Sequence, residues 1–208
     1  MYRSNTSRIV PMIIFIVVIV ALIAGLITAG QYLFGGNNKQ AEQTKSAVQS
    51  AKDELLTLTA DRSIRLTVRG PIVADKNFST YQVSVSPSSR AYTLYDGYLG
   101  NVKENKSFSN NMKAYEEFVY ALDKANITKP GKYTEEQASD LRGICATGPV
   151  YEFEFLDGGS VKKSYWTSTC KGSPGTLGAS VAQLMNLFAA QMPEVKLEGA
   201  GSSNQLSL

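Results

Sequence analysis

Residues 9–30 read IVPMIIFIVVIVALIAGLITAG, carry no charge and hold only Thr28 as a strongly polar member. As a helix rising about 1.5 Å per residue this stretch covers roughly 33 Å, enough for the ~30 Å hydrocarbon core of a bilayer. The pattern predicts a single transmembrane helix over residues 9–34, with the lipid bilayer as its partner. Arg3 and Arg8 precede it with no acid between them, and the first charge after it is Lys39. A basic flank marks the cytoplasmic side. Residues 1–8 are therefore expected in the cytoplasm and residues 35–208 outside the cell membrane. A cleavable signal peptide is the competing reading, but its apolar core runs about 7–15 residues and ends in a small-residue site.

Beyond the span the apolar period changes from element to element. Ala41, Thr44, Val48, Ala51, Leu55 and Leu58 recur at helical spacing, which predicts a juxtamembrane helix within a 35–60 linker. Its stripe serves either packing on its own domain or a short self-associating stalk. Ile64, Leu66 and Val68 then alternate with Arg65, Thr67 and Arg69, the mark of a half-buried strand. Tyr81, Val83 and Val85 make a second strand, Ser86 to Ser89 a tight turn, and residues 90–95 a third strand closed by Asp96 and Gly97. The three predict an antiparallel meander. Residues 97–110, rich in Gly, Asn, Lys and Ser, read as a loop. Asn110 or Asn111 caps a helix whose buried face is Met112, Tyr115, Phe118, Val119 and Leu122. Thr134 and Gln137 frame a capping box.

A second set follows. Tyr151, Phe153 and Phe155 alternate with Glu152 and Glu154, Asp157-Gly158-Gly159 signals a hairpin, and residues 161–169 return. Thr176 is the expected cap of a helix to about Gln191, with Leu177, Val181, Leu184 and Phe188 inward. Gln183 and Asn186 sit on its neutral face, open to a partner or covered by the 41–60 helix. The two sets overlay at an offset of 70, which leaves open an internal duplication of a strand–strand–helix unit. The fold class is α+β: an extracytoplasmic domain over residues 61–195 with a mostly antiparallel sheet and helices on one face, and a disordered tail at 196–208.

Charge and composition narrow the function. With Arg3 and Arg8 set aside, the remaining Lys and Arg nearly balance the 18 acids, so the outer part lacks the basic excess of a nucleic-acid binder. The chain has no His, which removes the commonest general base and metal ligand. No cofactor, metal site or catalytic set is expected.

Cys145 and Cys170 lie outside the membrane in this reading, where disulfides persist, and are expected to pair. A turn centred on Asp157-Gly158 sets them face to face. One centred on Gly158-Gly159 pairs Tyr151 with Trp166 and Glu154 with Lys163, and needs a slip near Gly148-Pro149. Ser160 and Lys163 match S-x-x-K, without the companion motifs of penicillin-binding proteins. Glu152 and Glu154 share a strand face at a separation that suits acid–base work on a glycoside or, more simply, a solvated face. Arg65 and Arg69 share a face that suits an anionic envelope polymer or a partner's carboxylates. Tyr95 and Tyr98, with Tyr92, flank Asp96-Gly97 as stacking candidates, and alternation puts Tyr92 and Tyr95 on opposite faces.

The apolar N-terminus ending in Gly35-Gly36, the run DRSIRLTVRGPIVA at 61–74, and Trp166 to Cys170 with its Gly, Pro and Gly-Thr sequel are similar to a group of uncharacterised single-pass envelope proteins. That group belongs to the ultra-small, host-attached candidate-phyla bacteria. The resemblance implies a compartment and a lifestyle and assigns no activity. Together these features predict a membrane-anchored, outward-facing, non-enzymatic binding or scaffold module, with an envelope or surface protein as partner. A subunit of an oligomeric surface structure and a cell-wall enzyme are the alternatives.

Overall fold

The computed structural model describes residues 18–19, 36–139 and 145–197. The expected span at 9–34 lies outside these residues, apart from Val18 and Ile19, which are helical. Among the described residues no helix is long and apolar enough to cross a membrane. The expected tail likewise falls mostly outside them. The chain divides into two compact units, Met1–Ala47 and Val48–Leu208, and the second holds the sheet.

Helix α1 (Gly36–Leu56) begins and ends earlier than the 41–60 stripe indicates. The Thr57 hydroxyl donates back to Asp53 O (2.8 Å), and Arg62 N–H donates to Thr59 O (3.2 Å), which turns the chain into β1. Ala51 and Leu55 are buried in the domain core, so this end of the stripe packs on its own domain. Arg62 pairs with Glu54, and Lys52 with Asp123 (3.0 Å), fastening the helix end.

Strands β1 (Arg62–Arg69), β2 (Ser79–Val85), β3 (Ser89–Asp96), β4 (Asn101–Ser109), β5 (Val150–Asp157) and β6 (Ser160–Ser168) form one antiparallel sheet in the order β4-β3-β2-β1-β5-β6. Alternation decides which residues meet. Ile64, Leu66 and Val68 stand beside Val85, Val83 and Tyr81 on one side and Phe155, Phe153 and Tyr151 on the other, all buried. Helices α2 (Met112–Lys124) and α4 (Val181–Ala190) close over this face. Phe188 meets Phe118 edge-on at 5.2 Å and lies 5.9 Å from Phe153. Asn111 caps α2, accepting from Ala114 N–H (3.0 Å). Thr134 and Gln137 exchange the two bonds of a capping box (3.2 and 3.3 Å) at the start of α3 (Glu135–Ser139).

Several expectations are corrected. Residues 101–109 are a strand, not part of a loop. As an edge strand β4 takes its order from backbone pairing with β3 and needs no apolar face, so its polar composition hid it. Met112 is 42% exposed, outside the buried face of α2. Ser180, not Thr176, caps α4, and Leu177 is buried before the helix begins. Leu197, assigned to the tail, is buried in the core. The hairpin turns on Gly158 and Gly159, whose φ values of 56° and 80° need glycine's freedom. A bulge after Phe155 then shifts the register, so Glu154 faces Ser164 and Tyr151 faces Thr167.

The topology also weighs against duplication. β2 and β5 both run antiparallel to β1, yet hairpin β2–β3 extends to one side of it and β5–β6 to the other, with both helices on the same face. A reflection relates those two arrangements, and no copy of an L-amino-acid unit can superpose by reflection.

Candidate functional site

The face of the sheet turned away from α2 and α4 carries the polar half of the alternation in β1, β2 and most of β5, with Ala91, Val102, Val150 and Trp166 among them. Cross-strand pairing arranges it in rows. The central row runs Asn105, Thr93, Gln82, Thr67, Glu152 and Trp166, one residue from each strand. A second runs Ser107, Ala91, Ser84, Arg65, Glu154 and Ser164, and a third Val102, Tyr95, Thr80, Arg69, Val150 and Ser168. Among the described residues no helix packs on the part from β4 to β1, and on β5 Val150 is already buried with Ala138 of α3.

The side chains are tied to one another. Arg65 Nε donates to Glu154 Oε2 at 2.7 Å, Ser164 Oγ to Glu152 Oε1 at 3.1 Å, Tyr95 OH to Gln82 Oε1 at 3.3 Å and Asn105 Nδ2 to Thr93 Oγ1 at 2.8 Å. The hydrogen bond to Glu154 raises the Arg65 pKa above its ordinary value, against the opposing cost of partial burial. Arg65 thus spends its charge on a neighbour and is not a free anion site. Glu154 is committed to the same pair and Glu152 is bonded to Ser164, so the two do not stand as an open acid–base couple. Lys163 of the S-x-x-K match is paired with Glu135 of α3. Among the described residues no group of three or more His, Cys, Asp and Glu is gathered as a metal would require.

At the β6 end this face is covered. Trp166, 2% exposed, packs with Ala138, Cys145 and Val150, and with Tyr133 and Cys170 at the margin. The Cys145–Cys170 disulfide fastens the cover, with Cα atoms 5.5 Å apart. The ladder continues to Thr169 N–H and Pro149 O (3.2 Å), beyond which the chain folds back at Gly148. A Cβ there would sit 2.0 Å from Thr169 Oγ1, so any other residue requires that hydroxyl to turn away.

The expected binding residues separate into three places. Arg65, Arg69 and Tyr95 share the open face, while Tyr92 is buried on the other. Tyr98 stands at the β3–β4 turn, stacked on Phe78 at 4.0 Å, and its hydroxyl donates to Val73 O (2.7 Å). Its backbone N–H donates to Asp75 Oδ1 (2.7 Å), which makes it the clasp of the 71–78 loop. Gln183 and Asn186 are exposed on α4, on the opposite side of the sheet. Sequence reasoning missed a cleft of about 290 Å³ between α3 and β6, lined by Glu135, Ser139, Val161, Lys162, Lys163, Ser164, Trp166 and Thr176. No spacing rule joins Glu135 to Lys163 across the disulfide loop; the capping box at Thr134 was the one local sign of a helix there.

No protein-family model matches the chain, and no curated protein is similar enough in sequence to count as a match.

Proposed function

We propose that this chain is a membrane-anchored, outward-facing, non-enzymatic binding or scaffold module of a cell envelope. Residues 9–34 hold it in the bilayer with the N-terminus in the cytoplasm. The observation that carries the binding role is the open polar face: a sheet whose other side is sealed by helices offers ordered, mutually bonded polar rows to a partner. The Cys145–Cys170 disulfide is consistent with an oxidising, extracytoplasmic location, and the resemblance to single-pass envelope proteins agrees with it. Because Arg65 is paired internally, it offers an anionic polymer no free charge on this face, and an envelope or surface protein is the partner we favour.

Two measurements test this reading. Alkaline phosphatase fused after the full chain is active if the domain lies outside, and an inactive fusion refutes the orientation. A photo-crosslinking residue at Gln82 or at Thr93 in intact cells captures one common partner. Capture only from Gln183 or Asn186, or from none of these, refutes the open face as the binding surface. The nine-residue β4 edge is exposed along most of its length, and a second reading, a subunit of an oligomeric surface structure, would use it through side-chain contacts and not by continuing the sheet. Light scattering of the purified full chain decides it, and a monomer removes it.

A further inference from the structure

Strand β6 lies at the sheet edge, and among the described residues it is covered along only half its length. Trp166 donates its N–H to Thr176 Oγ1 (3.1 Å), and its carbonyl accepts from Leu177 N–H (3.0 Å). The Thr167 hydroxyl donates to Pro174 O (2.7 Å) and the Ser168 hydroxyl to Ser173 O (2.6 Å). Residues 173–177 thus run along the end of β6 as a cover. The chain then leaves, with Gly178 N–H bonded to Lys129 O (2.9 Å).

The uncovered half has a definite chemistry. Alternate residues of an antiparallel ladder turn their N–H and C=O toward opposite neighbours. Trp166 turns outward to residues 176 and 177, so Ser164, two residues before it, turns outward as well, at the point where the cover has left. The cleft of about 290 Å³ opens there, with Glu135 and Ser139 on the α3 side and residues 161–164 on the other. Glu135 neutralises Lys163. Lys162, the extra residue of the bulge, lines the cleft as an exposed cation with no acid against it among the described residues. Val161, 46% exposed, adds an apolar wall.

We propose that this cleft is a strand-addition site that takes an extended, acidic peptide segment of a partner protein. The peptide continues the line of residues 173–177, exchanges one N–H and one C=O with Ser164, and sets a carboxylate against Lys162. One backbone donor and one acceptor side by side on an edge match the pair that a strand presents, which favours a peptide over a sugar. This goes beyond the reading of the open face and rests on other atoms.

The chain's single tryptophan, Trp166, ends the cleft and reports occupancy by fluorescence. The probes are a capped Thr-Val-Glu-Val-Thr peptide and its Thr-Val-Lys-Val-Thr counterpart, titrated into the full chain in detergent micelles. The expected result is a saturable change with the acidic peptide, about tenfold tighter than with the basic one, and a reversed preference in Lys162→Glu. Ser164→Pro removes the outward N–H and leaves the backbone bonds to β5 intact, so it loses binding, whereas Ser164→Ala, which removes only the hydroxyl bond to Glu152, keeps it. Should that variant fail to fold, Lys162→Glu decides alone. Absence of saturation with either peptide up to millimolar concentration, equal response to both, an unchanged preference in Lys162→Glu, or tighter binding of polygalacturonate each overturns the proposal. None of these outcomes touches the crosslinks from Gln82 and Thr93, so the two readings fail separately.

Discussion

Phe188→Ala tests whether α4 belongs to the domain. Phe188 is 0% exposed, edge-on to Phe118 at 5.2 Å and 5.9 Å from Phe153, so one ring joins α4 to both α2 and the sheet. Truncating a buried phenylalanine costs about 3–5 kcal/mol, the transfer of the ring plus the cavity it leaves. Each aromatic pair accounts for about 0.5–1.5 kcal/mol of that. Against a total stability of about 5–15 kcal/mol this is a large share. A guanidinium melt of the full chain, followed by circular dichroism, should show a lower midpoint at unchanged slope. Phe118→Ala and the double variant complete a cycle, whose coupling should be about 0.5–1.5 kcal/mol. Gln183→Lys, on the exposed face of α4, should stay within about 0.5 kcal/mol of the parent. A loss below about 1 kcal/mol for Phe188→Ala, with the ring gone, would show that α4 does not seal the core and would refute the packing described here.

Three further outcomes are expected. The purified chain should show no free thiol until reduced, and reduction should remove about 3.5 kcal/mol, the chain-entropy value for a loop closed by cysteines 25 apart; two reactive thiols in oxidised material would reject the pairing. Arg65→Ala strands Glu154, which is 9% exposed, and should cost about 1–3 kcal/mol, less than a fully buried pair because Arg65 is partly solvated. Arg65→Ala with Glu154→Ala should recover most of it, and a double variant as unstable as the single would reject the pairing argument. Burial pushes the hydroxyls of Tyr115 and Tyr165 up to about 12. Folding therefore favours their protonated forms, and their contribution, whole below about pH 10, should be lost as pH rises towards about 12. Tyr165→Phe should flatten that loss in an alkaline melt, and an unchanged profile would count against it.

What the sequence disclosed follows from where each signal originates. Strands β1, β2 and β5 flank one another in the middle of the sheet, one face each in the core, and their period-two alternation is plain in Ile64, Leu66 and Val68 or in Tyr151, Phe153 and Phe155. Caps are local too, and Asn111 and Thr134 were readable for that reason. β4 was not, because an edge strand that reaches the core only through Phe108 imposes no apolar pattern. The bulge after Phe155 was hidden because one extra residue between Val161 and Lys163 leaves the composition unchanged while shifting the partners of Val150 to Phe155 by one. Leu177 has the spacing of the α4 stripe but is spent on an extended segment bonded to Trp166 and bridged to Pro130. The site residues divide on the same line: Arg65, Arg69 and Tyr95 share a face by alternation, whereas Tyr98 and Gln183 answer to a turn and to a helix on the other side.

An antiparallel sheet with exposed edges must keep other strands from adding to it, and the way this chain does so bears on where a partner docks. β4 carries Lys103, Glu104 and Lys106 on its edge and is kinked by a bulge at Leu94 and Tyr95, both of which discourage a long continuous pairing. The end of β6 is occupied by residues 173–177, held by two hydroxyls and two backbone groups. The disulfide pins the neighbouring cover over Trp166. Among the described residues the start of β6 receives neither treatment. Its lysines stand where they would blunt an edge, yet one of them is neutralised by Glu135, and α3 rises beside the strand as a wall instead of lying across it. A blunted edge repels strands of every kind. This one keeps, among the described residues, Lys162 as its free cation, an outward backbone pair at Ser164 and a cleft beside them, the features on which the proposed preference for an acidic strand rests.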